Sequence, residues 1–226
     1  YLTHSPNYKT SASIYDTIHG QRIDALADRL KVLLAEYNIQ AGRILDLGCG
    51  TGRGLNNICS EKFEGVGIDP SIEMIKIAKS KYRSSKIRFE VESIQSFLTN
   101  LQFTAEFCLN DAINYIKPQE WPNALQNISK NLLSGGIFYF DFTTYSDFFD
   151  VWNGHSEFTE GTGWVCFKTH SFDDNSKLGL EIQNWFLANE YGYQRFVETH
   201  ELYAVRVNEI LDFAAGAGLN LRCFLN

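Results

Sequence analysis

The segment Asp46-Leu47-Gly48-Cys49-Gly50-Thr51-Gly52 is the first place where residue types and spacing can do chemistry. Glycine at alternate positions lets the main chain approach a ligand without Cβ interference. A loop of this kind after an apolar run cradles nucleotides in several protein classes, and the spacing separates them. A dinucleotide fingerprint needs G-x-G-x-x-G. Counted from Gly48 its last position is Arg53, and counted from Gly50 it is Leu55, so it fails in both registers. A phosphate loop needs Gly-Lys-Ser/Thr, which the chain lacks. Asp69 closes the next apolar run, FEGVGI, where a carboxylate can accept two vicinal hydroxyls. His200 and Tyr203 stand an odd number of positions apart in an alternating segment, so they point to opposite faces.

These groups need elements to hold them. Apolar residues from Ile14 to Tyr37 recur at helical spacing. Arg43 to Leu47, Phe63 to Ile68, Ile87 to Val91, Phe103 to Leu109 and Ile137 to Phe142 read as short buried strands. Helices separate several of them: one runs through Cys59, one from a Ser71 cap through Lys81, and one from Trp121 to Leu133. Strand alternating with helix at crossover spacing makes an open α/β sheet, Rossmann-like and doubly wound, with mostly parallel strands. Ligands in such sheets bind at the carboxyl ends of the strands. Asp46, Asp69, Glu92-Ser93, Asn110-Asp111 and Asp141 all fall there. After Thr143 the period becomes two, over 164–172, 178–187 and 194–205, which predicts an antiparallel β-meander. Val207 to Ala217 returns to a helix with Gly218 as its cap, and Leu219 to Phe224 reads as a sixth strand. The division expected is a core over 1–145, a β insertion lying over the strand ends as a substrate lid over 146–205, and a last helix and strand over 206–226.

ILDLGCGTG followed by GVGIDPSIEMIKIAK resembles the class I S-adenosylmethionine-dependent methyltransferases. CLNDAINYI, NISKNLLSGGIFYFDFTT and ETHELYAVRVNEILDFAAGAGL are similar to its small-molecule branch, in which a β-meander covers the site and to which amino-sugar N,N-dimethyltransferases belong. The resemblance implies S-adenosyl-L-methionine as cofactor and S-adenosyl-L-homocysteine as product. It implies cofactor contacts from Tyr15, Asp46, Gly48, Gly50, Asp69, Pro70, Met74, Ser93, Ile94 and Asn110. Asp69 takes the ribose, Met74 packs on adenine, and Ser93 stands where the family usually has an acid. Tyr15-Asp16 matches a segment that closes over the cofactor, and Asn110 ends the fourth strand beside the sulfonium. His200, Asp111 and Tyr115 are the catalytic candidates, with His200, or Asp111 through a water, as the proton acceptor. No clear base motif stands out, which favours an amine nitrogen on a small molecule as the acceptor. Methylation of a hydroxyl or carboxylate, and a binding subunit without turnover, are the alternatives. The family also implies a seventh, antiparallel strand after the sixth, so a chain trimmed at both ends is expected.

Composition narrows the partners. The 226 residues carry 27 acidic and 20 basic side chains, a formal charge of -7, with no basic run. That disfavours a nucleic-acid groove. No apolar run reaches the roughly 20 residues of a membrane span. Cys49, Cys59, Cys108, Cys166 and Cys223 are odd in number and show no C-x-x-C spacing, which suits a reducing, cytoplasmic setting and no zinc or other metal site. A monomer or homodimer is expected.

Overall fold

The computed structural model describes residues 4–5, 8–59 and 62–223. A two-residue strand β1 (His4–Ser5) leads to a long helix α1 (Tyr15–Glu36). Then follow β2 (Gly42–Leu47), α2 (Arg53–Ile58), β3 (Phe63–Asp69), α3 (Ile72–Lys81), β4 (Ile87–Val91) and β5 (Phe103–Cys108). Helix α4 (Trp121–Asn131) precedes β6 (Leu132–Phe140). A short α5 (Tyr145–Asp147) runs into a π turn, and β7 (Ser156–Gly161), β8 (Trp164–Asp173), β9 (Leu178–Asn189) and β10 (Gly192–Tyr203) follow. Helix α6 (Val207–Gly216) comes last.

Strands β2 to β6 form one parallel sheet in the order β4-β3-β2-β5-β6. The pleat sends alternate residues to opposite faces. Ile44, Ala105 and Phe107 pack under α1, α2 and α3 with Ala27, Leu30, Leu55 and Ile75. Leu45, Leu47, Val66 and Ile68 face α4 and α6 with Trp121, Leu125, Ile128 and Ile210. Burial on both faces explains why these strands read as continuous apolar runs rather than as alternation. Ser71 caps α3 as expected, accepting the Met74 N–H at 3.3 Å.

The second sheet runs β1-β10-β9-β8-β7. The expected three-strand meander is present as β8, β9 and β10. Two strands are added: β7, antiparallel on β8, and β1, parallel on β10. Cross-strand register sets the inner face. Glu198 pairs with Gln183, Gln183 with Lys168, and Lys168 with Glu157. One row on, His200 pairs with Glu181 and Glu181 with His170. Tyr203 leaves this face, its hydroxyl donating to Glu201 at 3.2 Å.

The sixth strand expected over Leu219 to Phe224 does not form in residues 219–223, and Phe224 lies outside the described residues. Gly218, at φ +77°, turns the chain at the end of α6, and the Leu219 N–H bonds back to Ala214 O at 2.9 Å. That helix-capping bond commits the segment to the cap rather than to a ladder. Among the described residues nothing pairs with the outer edge of β6. The helix expected to reach Leu133 stops at Asn131, and β6 begins at once, with a register shift against β5 between Phe103 and Ala105.

Candidate functional site

The loop after β2 follows from its glycines. Gly48 and Gly52 sit at φ +78° and +80°, and added Cβ atoms would fall 2.9 Å from the Ala112 Cβ and 2.6 Å from the Phe89 ring. The Gly48 and Cys49 N–H groups both donate to Ile68 O, at 2.8 and 2.9 Å, which ties the loop to β3. Gly50 donates its N–H to Asp69 Oδ2 at 2.9 Å, and Ser71 donates its N–H to Oδ1 at 2.8 Å. Each carboxylate oxygen keeps a further lone pair. Burial pushes Asp69 up to about 6, with those two amides acting against it.

A cavity of about 550 Å³ opens above this loop, at the carboxyl ends of β2, β3 and β5. Tyr15, Gly48, Gly50, Asp69, Pro70, Met74, Ser93, Ile94, Asn110 and Tyr115 line it. Asp46 does not reach the wall. Its carboxyl is buried beneath the loop and accepts the Leu55 N–H, and burial with the neighbouring Asp69 charge raises it well above the carboxylate range. Its place is to join loop and α2, because the second strand position after Ile44 faces α1 and α2 rather than the strand ends. Glu92 also stays outside the wall, accepting from the Ser93 N–H and the Ser96 hydroxyl.

At the far end of the cavity β5 runs into a strained turn. Asn110 and Asp111 both have positive φ, +60° and +51°. Asp141 holds them: Oδ1 accepts the Asn110 N–H at 2.6 Å, and Oδ2 accepts the Asp111 N–H at 3.2 Å and Arg22 Nη2 at 3.0 Å. Asn110 donates Nδ2 to the Tyr15 hydroxyl at 3.0 Å, while its Oδ1 is buried without a partner. Asp111 lies behind Asn110, accepts from Thr143 Oγ1 at 3.2 Å, and is pushed up to about 6 by burial. The His19 ring lies 4.7 Å from the Tyr15 ring and is tilted against it, and burial with the Lys168 charge lowers its imidazole to about 4.

The third wall is an N-terminal strap that sequence reading did not single out. Tyr8 and Lys9 line the cavity. Glu198, with no exposure, accepts the N–H of Thr10, the N–H of Ser11 at 3.1 Å and the Ser11 hydroxyl at 2.7 Å. Tyr8 Oη lies 2.8 Å from Tyr115 Oη, which lies 2.8 Å from His200 Nδ1. Tyr8 sits in a polar stretch without periodicity, and the pairing of β1 with β10 and the Glu198 contacts to Thr10 and Ser11 bring it here.

Behind these groups the inner face of the second sheet carries Glu181, whose pKa falls to about 2. Burial opposes that, but the hydrogen bond from His170 at 2.7 Å and the Lys168 charge outweigh it. Trp185 is buried and donates Nε1 to Gln183 at 2.7 Å; it packs on Trp164 at 5.7 Å. Trp164, His170 and Trp185 therefore belong to the packing of the second sheet, and none lines the cavity. Among the described residues no three His, Cys, Asp or Glu side chains are placed to hold a metal ion. No helix among them is long and apolar enough to cross a membrane.

The chain is similar to known proteins both in sequence and in fold. Residues 44–136 match the family model described as a methyltransferase domain. YqeM of Bacillus subtilis (strain 168), a protein named as a methyltransferase, is 28% identical over 95% of this chain and 87% of its own. A crystal structure of an S-adenosylmethionine-dependent methyltransferase from Clostridium acetobutylicum ATCC 824 superposes with a TM-score of 0.83 at 27% identity, covering 94% of this chain and 88% of that one. The sugar N-methyltransferase KedS8 from Streptoalloteichus sp ATCC 53650 shares the fold, with a TM-score of 0.80 at 20% identity over 96% of this chain and 88% of its own.

Proposed function

We propose that the chain, which has the class I methyltransferase fold, is an S-adenosylmethionine-dependent enzyme that methylates an amine nitrogen of a small molecule. The residues around the cavity suit the cofactor. The Gly50 backbone lies open to the cavity, since a Cβ there would meet only the Tyr15 ring at 3.7 Å. Asp69 has lone pairs left for a ribose diol, and the buried Asn110 Oδ1 lacks a donor. In this reading Asp69, Pro70, Met74, Ser93 and Ile94 hold the adenosine, and the glycine loop and Tyr15 hold the methionine part. When bound, S-adenosylmethionine supplies an electrophilic methyl carbon on a positive sulfur, which leaves as a neutral thioether.

The electrostatics at the Asn110 end carry the choice of nitrogen. Burial raises Tyr8, Tyr15 and Tyr115 well above the usual phenol range, and the Asp111 charge adds to each. Burial raises Asp69 and Asp111 as well. These five groups at or behind the cavity wall resist ionisation, so an alkoxide, phenolate or carboxylate nucleophile would be costly beside them. A neutral amine attacks without first becoming an anion, and the Asp111 carboxylate nearby favours the positive charge that it gains. Alignment then supplies much of the acceleration, about 7–11 kcal/mol in well-oriented cases. The fold shared with KedS8, a sugar N-methyltransferase, is in keeping with this reading.

The test is a panel of primary amines, phenols and carboxylates incubated with S-adenosylmethionine, with products read by mass. An amine that gains the mass of one methylene supports the reading. Products from hydroxyl or carboxylate acceptors alone would replace it with O-methylation. Calorimetric binding of the cofactor without any product would point to a binding subunit.

A further inference from the structure

We infer that the hydroxyls of Tyr8 and Tyr115 form a proton path from the cavity to Nδ1 of His200, with Tyr8 as its entry. The inference rests on the amine reading above for the source of the proton. The contacts are continuous: Tyr8 lines the cavity, its Oη is 2.8 Å from Tyr115 Oη, and that oxygen is 2.8 Å from His200 Nδ1. His200 is 1% exposed, so no bulk water competes for its proton. Its Nε2 has no hydrogen-bond partner and faces Glu198 Oε2 at 3.8 Å.

Donor counting gives the path a direction. If Nδ1 is the bare nitrogen, Tyr115 must donate to it, and Tyr115 then accepts from Tyr8. Tyr8 has spent its one proton, so its remaining lone pair is an acceptor at the cavity wall. An N–H on the methyl acceptor is the donor that completes the chain. The acceptor nitrogen forms its new carbon bond with its lone pair and then carries one proton too many. That proton passes to Tyr8 Oη as Tyr8 gives its own to Tyr115 and Tyr115 gives its own to His200 Nδ1. Both tyrosines end neutral, and the positive charge ends on the imidazole. The titratable groups around that imidazole are Glu198 on its own strand, Glu181 opposite on β9, and the two neutral tyrosine hydroxyls.

The strap is built for this contact at some conformational cost. Tyr8 has φ +61°, a region that large side chains seldom adopt. Its ring sits edge-on to Tyr15 at 5.6 Å and 4.8 Å from the His200 ring. A residue needed only to fill space between those rings would not require its hydroxyl.

Two measurements test the path. The first needs no acceptor: long-range proton–nitrogen correlations on protein labelled with ¹⁵N-histidine, with His200→Gln to assign its signals among the five histidines. The neutral His200 is expected as the Nε2–H tautomer, with Nδ1 bare. An Nδ1–H tautomer overturns the path, because that nitrogen could not receive a proton. The second uses Tyr8→Phe, which keeps the ring contacts, with whichever primary amine of the panel is methylated. Loss of positioned proton transfer typically costs 10²- to 10⁴-fold. Here kcat is expected to fall at least about tenfold, KM for S-adenosylmethionine to change less than about threefold, and the solvent isotope effect on kcat to disappear. Wild-type kcat in Tyr8→Phe, or a change confined to KM, overturns the inference. If no amine is methylated, the amine reading fails while the tautomer still decides the path.

Discussion

The Gly50 N–H and Asp69 Oδ2 meet at 2.9 Å, so the glycine loop and the acid of the next strand form one unit. That contact orients the carboxylate across the cavity while leaving lone pairs for a diol. Asp69→Ala removes both the loop's acceptor and the proposed ribose acceptor. Charge-assisted hydrogen bonds contribute about 1.5–3 kcal/mol each, so affinity for S-adenosylmethionine should fall at least about tenfold by calorimetry. Unchanged affinity would remove Asp69 from the binding site.

The same carboxyl sets a pH dependence. Its pKa in the free protein is pushed up to about 6 by burial. A diol that donates to the carboxylate favours the ionised form, so binding must weaken as pH falls through 6, by up to about tenfold per pH unit. Titrations from pH 5 to pH 8 test this. In Asp69→Asn the trend should flatten, because the amide does not titrate. A wild-type affinity that is flat across that range would contradict it.

Glu106 points the other way in stability. It is fully buried in β5, neither oxygen has a partner, and burial raises its pKa from 4.5 to about 9. The folded protein therefore keeps a proton that the unfolded chain releases between those values. Unfolding becomes easier as pH rises through the window, so stability is lost from about 4.5 upward. Glu106→Met removes the titration. Its gain in unfolding free energy should be on the order of 3 kcal/mol larger at pH 8 than at pH 5. Urea melts at the two pH values decide it, and an equal gain at both would mean that the acid is ionised in the fold.

The fold and much of the cavity wall were legible in the sequence because they rest on local rules. Strands buried on both faces, the Ser71 cap and the alternating glycines each leave a mark within a few residues. Asp69, Met74 and Ile94 could be placed because they follow a strand end at fixed distance. Tyr8 left no mark: its position depends on Glu198, far along the chain, accepting the Thr10 and Ser11 amides. Asp46 was misplaced because strand position alone does not say whether a carboxylate points along the sheet end or under the loop. The stretch 219–223 has strand-like residues, but the capping bond from Leu219 to Ala214 claims its start.

Asp141 should be a keystone of the Asn110–Asp111 turn. It accepts both amides, and each residue is held at positive φ. Residues in such regions cost on the order of 1–3 kcal/mol and persist only when their surroundings fix them. Asp141→Ala leaves two part-buried amides without their acceptor, at about 1–3 kcal/mol each. It should lower the unfolding free energy by roughly 2–4 kcal/mol in denaturant melts. Arg22→Ala, which removes only a half-exposed ion pair to the same carboxylate, should cost under about 1 kcal/mol. Equal losses in the two variants would show that the ion pair, not the amide contacts, supports the turn.

Glu198 should decide whether the strap stays down. It accepts three donors from Thr10 and Ser11. Burial would raise its pKa, but His200, the Ser11 hydroxyl and the two amides hold it below the usual value. For an acid depressed in this way the stabilisation is present above its unfolded value and is lost as pH falls through the folded one. The strap therefore holds at pH 5. In Glu198→Ala the strap loses its anchor at every pH, and Lys9, at the cavity wall, becomes available to trypsin. Cleavage after Lys9 should be faster in Glu198→Ala than in wild type at pH 8. S-adenosylmethionine should slow it in wild type, because the ligand and the strap share that wall. Ser11→Ala, which keeps both amides on the carboxylate, should fall between the two. If all three proteins are cut at the same rate, the carboxylate does not hold the strap, and Tyr8 reaches the cavity through its ring contacts alone.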